Sequence, residues 1–265
     1  FLIVKKYLSN PLVTGTIFLT LAGTTSRFMG FFFRIFLNNV MGSTGLGLYQ
    51  LVIPLMSVCM SLCCNGFQTA TSKFVAEKPQ NRQIILICAI IMSATIALLL
   101  TIIMYSNANY ISICILSEPR CTELVKALSF SILPAAIHSC INGYYYGLKK
   151  AAIPAATQLI EQTARIGTCY LIYAILSDGG SCFKPVYSIY GIVAGEASAT
   201  VFSVITIKKD FSYFKISVKI LKTTAYGMAA LFIPLSLNYI LASFSSSVEN
   251  VLIPRTLKLY GLSPA

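Results

Sequence analysis

Two arginines in an apolar stretch are the residues of this sequence best suited to bind an anion. Arg27 and Arg34 lie in "TTSRFMGFFFRIFLNN", which runs from residue 24 to residue 39. A guanidinium stays charged inside proteins and offers paired donors to phosphates. Seven residues at 100° each bring the two side chains to within about 20° of one helical face. The spacing predicts a cavity site for an anion; the alternatives are an ion pair for Arg27 and an outer-interface anchor for Arg34.

A second polar stripe lies in "PAATQLIEQTARIGTCY". Its polar residues are spaced at i, i+3, i+4 and i+7 and are Gln158, Glu161, Gln162 and Arg165. Glu161 and Arg165 are one helical turn apart, so they can neutralise each other inside a membrane. The alternative is that the stripe forms a cavity wall that binds a polar or anionic cargo, with Glu161 orienting Arg165.

Other polar residues within the apolar runs are candidates for hydrogen bonds to a sugar or for ion coupling. The candidates for contacts to sugar hydroxyls are Gln50, Asn65, Asn142 and Gln158. The candidates for proton or cation coupling are Glu196, which shares a face with Gly191 and Gly195, and Glu249. His138 is the only histidine, and we expect it to be a satisfied interior group. No cluster has the spacing of metal ligands, so we predict neither a metal site nor a cofactor.

The composition indicates a polytopic membrane protein. Of the 265 residues, 56% are hydrophobic and only 11% are charged, against about 25% in soluble domains, and the mean hydropathy is +0.77. The net charge of +12 comes mainly from short loops, so we attribute it to membrane topology and not to nucleic-acid binding. The chain begins with Phe1, and we expect the start of the gene product to have been trimmed. Cys114, Cys121 and Cys182 lie in or near loops that we place outside the cell membrane, so the sequence allows a disulfide among them.

Seven apolar runs are long enough to cross the bilayer, which requires about 20 residues. They are Leu12 to Val40, Leu46 to Ser72, Ile84 to Tyr105, Leu124 to Tyr145, Ile153 to Leu176, Tyr187 to Ile207 and Ala225 to Ile253. The stretches between them, including "MGSTG" and "SNANY", are predicted loops. Twelve lysines and arginines fall in the N-terminal stretch and the loops after spans 2, 4 and 6, against three in the other loops. This bias predicts a cytoplasmic N-terminus in the cell membrane.

Spans 1 and 7 resemble each other, which suggests an internal repeat. Each is about 29 residues long and leads to a short turn with glycine. A long first helix that recurs after six spans is typical of transporters built from two lobes. We therefore expect an all-α integral membrane protein in which residues 1–222 form a six-helix lobe and residues 223–265 begin a second one. The sequence is then a fragment of a transporter with 12 to 14 helices.

Several stretches resemble the polysaccharide flippases of the multidrug/oligosaccharidyl-lipid/polysaccharide superfamily, which also contains lipid II flippases and sporulation-associated members. These stretches include "SLCCNGFQTATSKFVAE", "INGYYYGLKKAAIPAATQLIEQTARI" and "VLIPRTLKLYGLS", and the resemblance runs from residue 15 to residue 263. It implies two six-helix lobes around a central cavity and alternating access without catalysis. In lipid II flippases, arginines on the first helix line the cavity. Ser26, Arg27, Gly30 and Arg34 match that motif, with the second arginine one residue later.

We therefore predict a flippase for undecaprenyl-diphosphate-linked sugars in the membrane of an endospore-forming bacterium. Arg27 would hold the diphosphate, with Arg34 and Arg165 as helpers. The expected partners are the lipid-linked sugar, membrane lipids and proteins of cell-wall or spore-cortex synthesis. The alternatives are a cation-coupled multidrug antiporter, a membrane-embedded glycolipid transferase and a structural scaffold. The scarcity of clustered acids disfavours the transferase, and arginines in a cavity disfavour a cationic cargo.

Overall fold

The computed structural model describes residues 11–178, 183–210 and 218–259, and nearly all of these residues are helical. The main helices are α1 (Pro11–Met60), α2 (Gly66–Glu77), α3 (Arg82–Ser106), α4 (Thr122–Gly147), α5 (Ala152–Asp178), α6 (Pro185–Asp210) and α7 (Val218–Leu259). No strand occurs within the described ranges. The prediction of an all-α protein is therefore confirmed.

Helix α1 contains the first two predicted spans and is interrupted at Gly42. The backbone of Gly42 has φ 72° and ψ 176°, a conformation that favours glycine because it has no Cβ. Phe33 before the interruption and Tyr49 after it contribute to the same apolar cluster, although a straight helix would separate them by about 24 Å. This shared cluster indicates that the chain turns at Gly42. The loop predicted at "MGSTG" is thus reduced to a break at one residue.

The helices contain two π-helical turns that the sequence did not predict. The first, Ser61–Asn65, joins α1 to α2, so the second span continues as helix as far as Glu77. The second, Ile111–Ile115, follows a short helical segment, Ala108–Tyr110. The loop predicted at "SNANY" was therefore wrong for most of its length: only the region around Asn107 departs from helical geometry.

Within the part of the chain that the structure describes, five helical segments are long and apolar enough to cross a membrane. They are Val13–Glu77, Pro79–Ser106, Pro119–Gly147, Pro185–Asp210 and Thr223–Ser243. The first has 65 residues and would measure about 98 Å if straight, so it contains two of the predicted spans. Helix α5 has 27 residues, which is sufficient length, but the polar stripe around Glu161 makes it less apolar than the others.

Helix α4 lies at the centre of the lobe and packs against α2, α3 and α6, while α5 packs along α6 and α1. Close contacts between backbones depend on glycine: a Cβ on Gly143 of α4 would lie 2.5 Å from the carbonyl oxygen of Gln68 on α2. Helix α7 packs against α2, α3 and the first π turn, and the ring of Phe232 stacks on that of Phe67. Many large apolar side chains stay exposed on the outer faces of the helices, as expected for a surface in contact with lipid.

Candidate functional site

The first segment of α1 has three distinct faces. One face packs against the lobe through Ala22, Ser26, Phe33 and Leu37, which are buried. A second face is exposed and apolar; its members are Ile17, Phe18, Leu21, Phe28, Phe31, Phe32 and Ile35, which are 41% to 65% exposed. The third face carries polar side chains and glycines, and we call it the polar flank; its members are the exposed Thr16, Thr20, Arg27, Arg34 and Asn38 and the half-buried Gly23 and Gly30. Only the apolar face is suited to contact lipid tails.

Both arginines of the polar flank are exposed and uncompensated. Within the described part of the chain, neither Arg27 nor Arg34 makes a hydrogen bond or a salt bridge. No atom lies within 4 Å of the Cβ position at Gly23 or Gly30, so the flank faces open space. Arg27 is about 23 Å from both Pro11 and Gly42 along the helix. At that depth a guanidinium needs water or an anionic ligand, because a lone charge in hydrocarbon is costly.

A second group of charged residues lies where α4, α5 and α6 meet. We call it the buried ion cluster, and its members are His138, Glu161, Arg165 and Glu196. The Nε2 atom of His138 is 2.7 Å from Oε2 of Glu196, and Nη2 of Arg165 is 2.6 Å from Oε1 of Glu161. The same Nη2 is 4.0 Å from Oε1 of Glu196, so the two pairs form one network. The four side chains are 5% to 18% exposed.

Glycines on α6 bring these charged residues together. A Cβ on Gly195 would lie 2.8 Å from the carbonyl oxygen of Glu161, and a Cβ on Gly191 would lie 2.9 Å from that of Arg165. Since only glycine tolerates so close an approach, the backbone of α6 lies directly against that of α5. The face of α6 that carries Gly191, Gly195 and Glu196 is therefore the face that packs against α5. Glu196, the next residue after Gly195, is placed beside the Glu161–Arg165 pair.

Two buried polar atoms in and beside the buried ion cluster have no hydrogen-bond partner among the described residues. Asn142, one turn after His138, presents its amide Nδ2 to the Nδ1 atom of His138 at 3.5 Å and leaves its own Oδ1 buried without a partner. The Nε atom of Arg165 is also buried without a partner. Buried polar atoms normally have partners, so the region around His138 and Asn142 has hydrogen-bonding capacity that the protein alone does not use.

The buried ion cluster does not have the character of a metal centre. One ligand-type atom from each of His138, Glu161 and Glu196 lies within 4.8 Å of the others. The guanidinium of Arg165, however, contacts Glu161 and approaches Glu196, so a permanent cation already occupies the place between the carboxylates. A divalent ion there would be repelled by that guanidinium.

The remaining predicted site residues are dispersed. Gln50 and Gln158 are exposed, and Asn65 is half-buried in the first π turn, where its carbonyl oxygen accepts a hydrogen bond from Thr69. Glu249 lies on α7, but its side chain falls outside the described residues. No hydrogen bond or ion pair among the described residues joins Arg27 or Arg34 to the buried ion cluster. Arg165 pairs with carboxylates, whereas Arg27 and Arg34 pair with none among the described residues.

Comparison with known protein families identifies the family of this chain. The profile of the polysaccharide biosynthesis proteins matches residues 12–260. The chain belongs to this family. This finding confirms the resemblance described above, and it agrees with the several apolar helices of the structure.

Three relatives come from Bacillus subtilis (strain 168). Stage V sporulation protein B is 24% identical over 259 residues, which are 94% of this chain and 50% of the relative. Lipid II flippase MurJ is 24% identical over 189 residues, 65% of this chain and 35% of the relative, and the uncharacterised membrane protein YabM is 23% identical over 203 residues, 76% of this chain and 37% of the relative. The chain thus spans half the length of these relatives, or less.

Two solved structures share the fold. One is a transporter of the MOP superfamily from Pyrococcus furiosus, with a TM-score of 0.70 and 16% identity. The other is a multidrug resistance transporter of the MATE family in the same superfamily, caught in an outward-facing conformation, with a TM-score of 0.68 and 13% identity. Each alignment covers 88% of this chain and 53% of the solved chain. At these identities the likeness shows the fold alone.

Proposed function

We propose that this chain is part of a flippase that moves an undecaprenyl-diphosphate-linked sugar across the cytoplasmic membrane by alternating access, without catalysing a reaction. The single observation that carries the proposal is the polar flank of α1, on which Arg27 and Arg34 lie in the membrane region without an anionic partner among the described residues. Two positive charges on one helix face inside the membrane favour a cavity that admits an anion, because a charge there needs water or a counter-charge. A diphosphate supplies two or more negative charges and matches the paired donors of a guanidinium.

The neighbouring face of α1 suits the other half of such a substrate. Phe28 and Phe31 are exposed on the part of the apolar face nearest the polar flank, so an isoprenoid tail can stay in lipid while the diphosphate contacts Arg27. Arg34 would contact the same headgroup nearer to Gly42. The relatives named for lipid II flipping and for sporulation support a precursor of peptidoglycan or of another polysaccharide as the cargo. The partners would be membrane lipids and proteins of cell-wall or spore-cortex synthesis.

The organisation of the whole transporter belongs to the same proposal. Residues 1–222 would form one lobe, with the N-terminus in the cytoplasm, and residues from 223 onwards would begin a second lobe that closes the cavity opposite the polar flank. Glu249 and the exposed Gln50 and Gln158 would then contribute to the cavity or to ion coupling. The uncompensated arginines disfavour a cationic drug as cargo, because like charges repel in a poorly hydrated cavity.

The test is headgroup translocation by the full-length protein in proteoliposomes that contain a fluorescent undecaprenyl-diphosphate sugar. We expect Arg27→Ala to lower the rate by about tenfold to a hundredfold, which corresponds to about 1.5 to 3 kcal/mol for a lost hydrogen bond to a charged group. Arg27→Lys keeps the charge but loses the paired donors, so we expect a smaller defect. Arg120→Ala is the matched control, because Arg120 is exposed and paired with Glu118. Unchanged translocation by Arg27→Ala would show that Arg27 does not bind the headgroup.

A further inference from the structure

The buried ion cluster is short of one positive charge. Glu161 and Glu196 carry two negative charges when ionised, and Arg165 carries one permanent positive charge. With a neutral imidazole at His138, the sum is −1; with a protonated imidazole, it is zero. Each member lies at least nine residues, or about 13 Å, from the nearer end of its helix. An uncompensated charge at that depth is costly, so the cluster favours the uptake of one monovalent positive charge.

The hydrogen-bond partners of His138 suit a proton as the added positive charge. Its Nε2 atom lies 2.7 Å from Glu196, so an Nε2–H group donates to the carboxylate whether the ring is neutral or protonated. Its Nδ1 atom faces Asn142 at 3.5 Å. In the neutral ring Nδ1 accepts from the amide NH₂. In the protonated ring Nδ1–H donates, and a half-turn of the amide brings the unpartnered Oδ1 into position to accept.

We propose that the buried ion cluster is a proton-binding site in which His138 gains and releases one proton at Nδ1. In both states the Nε2–H group of His138 donates a hydrogen bond to Glu196. Asn142 pairs with Nδ1 in both states, because its amide can turn to offer either the NH₂ group or the oxygen. The released proton passes to water at the exposed edge of the His138 side chain, which is 12% exposed against 5% for Glu196. Resting on the proposed function, we further infer that this exchange is the ion step of the transport cycle, because α5, which carries Glu161 and Arg165 of the cluster, packs against α1, which carries the polar flank.

Groups from every neighbouring helix are consistent with this assignment. Glu196 faces His138 from α6, and the Glu161–Arg165 pair approaches from α5. Among the described residues of the first π turn and α1, the groups next to the cluster are neutral: the thiol of Cys64 and the hydroxyl of Tyr49. The guanidinium of Arg34, also on α1, acts on the same Tyr49 hydroxyl but makes no ion pair with the cluster. The charged residues of α2 are exposed near its far end, and α3 carries no charged residue after Arg82. The charge of the cluster is therefore set by its four members.

The test uses the fact that this chain has one histidine. The full-length protein is labelled with ¹⁵N-histidine, placed in lipid nanodiscs and followed by NMR from about pH 5 to about pH 9. The signal that disappears in His138→Gln belongs to His138. We expect the proton affinity of His138 to fall at least about tenfold in Glu196→Gln, because the neutral amide still accepts from Nε2–H but no longer stabilises the imidazolium. Glu77→Gln, which removes an exposed carboxylate at the end of α2, is the matched control and should leave the affinity unchanged.

Two NMR results would overturn the proton site. One is equal proton affinity in the wild type and in Glu196→Gln; the other is a wild-type ring that remains neutral down to about pH 5. The coupling is tested separately by headgroup translocation under an imposed pH gradient. We expect the wild-type rate to follow the gradient and the His138→Gln rate to ignore it. A wild-type rate that ignores the gradient would overturn the coupling, whereas a wild type that does not translocate the lipid would overturn the proposed function and leave the NMR result standing.

Discussion

The contact between α5 and α6 leads to a sharp prediction for Gly195→Ala. A Cβ at this position would lie 2.8 Å from the carbonyl oxygen of Glu161, whereas ordinary contacts begin near 3.4 Å. The two backbones must therefore separate by about 0.6 Å, because a carbonyl within a helix cannot turn aside as a flexible side chain can. Overpacking of this kind typically costs about 1 to 3 kcal/mol, and it would also strain the contacts of Glu161 and Glu196 with Arg165.

Thermal unfolding of the purified protein, followed with a thiol-reactive dye, measures the effect. The assay suits this protein, because every cysteine that the structure describes is buried except Cys114. For a protein of this size the cost corresponds to a midpoint lower by about 2 to 12 °C. The matched control is Gly167→Ala on α5, where no atom lies within 4 Å of the added Cβ and the higher helix propensity of alanine should keep or raise the midpoint. A midpoint for Gly195→Ala equal to that of Gly167→Ala would refute the close contact.

Two further predictions concern charge and topology. Arg165→Gln leaves two buried carboxylates without their cation, so we expect a loss of about 3 to 5 kcal/mol in the free energy of unfolding; unchanged stability in a denaturant titration would contradict the network. Cys114 is the exposed cysteine of the described ranges, and it follows the third predicted span, which places it on the side opposite the N-terminus. In a Cys182→Ser background a membrane-impermeant maleimide should therefore label it from outside intact cells. Labelling only after permeabilisation would reverse the proposed orientation.

The helices could be predicted from the sequence because their signals are local. An apolar run of sufficient length marks a span, and glycines mark where the chain turns, so the helices from α3 to α6 agree with the predicted spans to within a few residues. The break at Gly42 was located correctly but was expected to be a longer loop. The π turns could not be predicted, because residues 61–65 and 111–115 carry no sequence mark that distinguishes a π turn from the α-helix around it.

The buried ion cluster was only partly predictable. The Glu161–Arg165 pair follows from one helical turn of spacing and was expected. The contact between His138 and Glu196 joins residues 58 positions apart, and it depends on how α4 and α6 rotate against each other. The rotation of each helix about its own axis cannot be read from the residues of that helix alone. The one available signal was physical: an isolated ionisable residue in an apolar run must find a partner, and the chain holds few such residues.

The same reasoning separates the three arginines of the membrane region. Arg165 is neutralised within the lobe, and its two carboxylates already account for its charge. Arg27 and Arg34 have no such partner among the described residues, yet they share the exposed polar flank of α1. An anion that neutralises them must therefore come from outside the described lobe, either from a second lobe or from a bound headgroup. A second lobe that neutralised them permanently would make Arg27→Ala a stability defect, whereas a headgroup makes it a transport defect in a protein of unchanged midpoint, and the two measurements together decide between these origins.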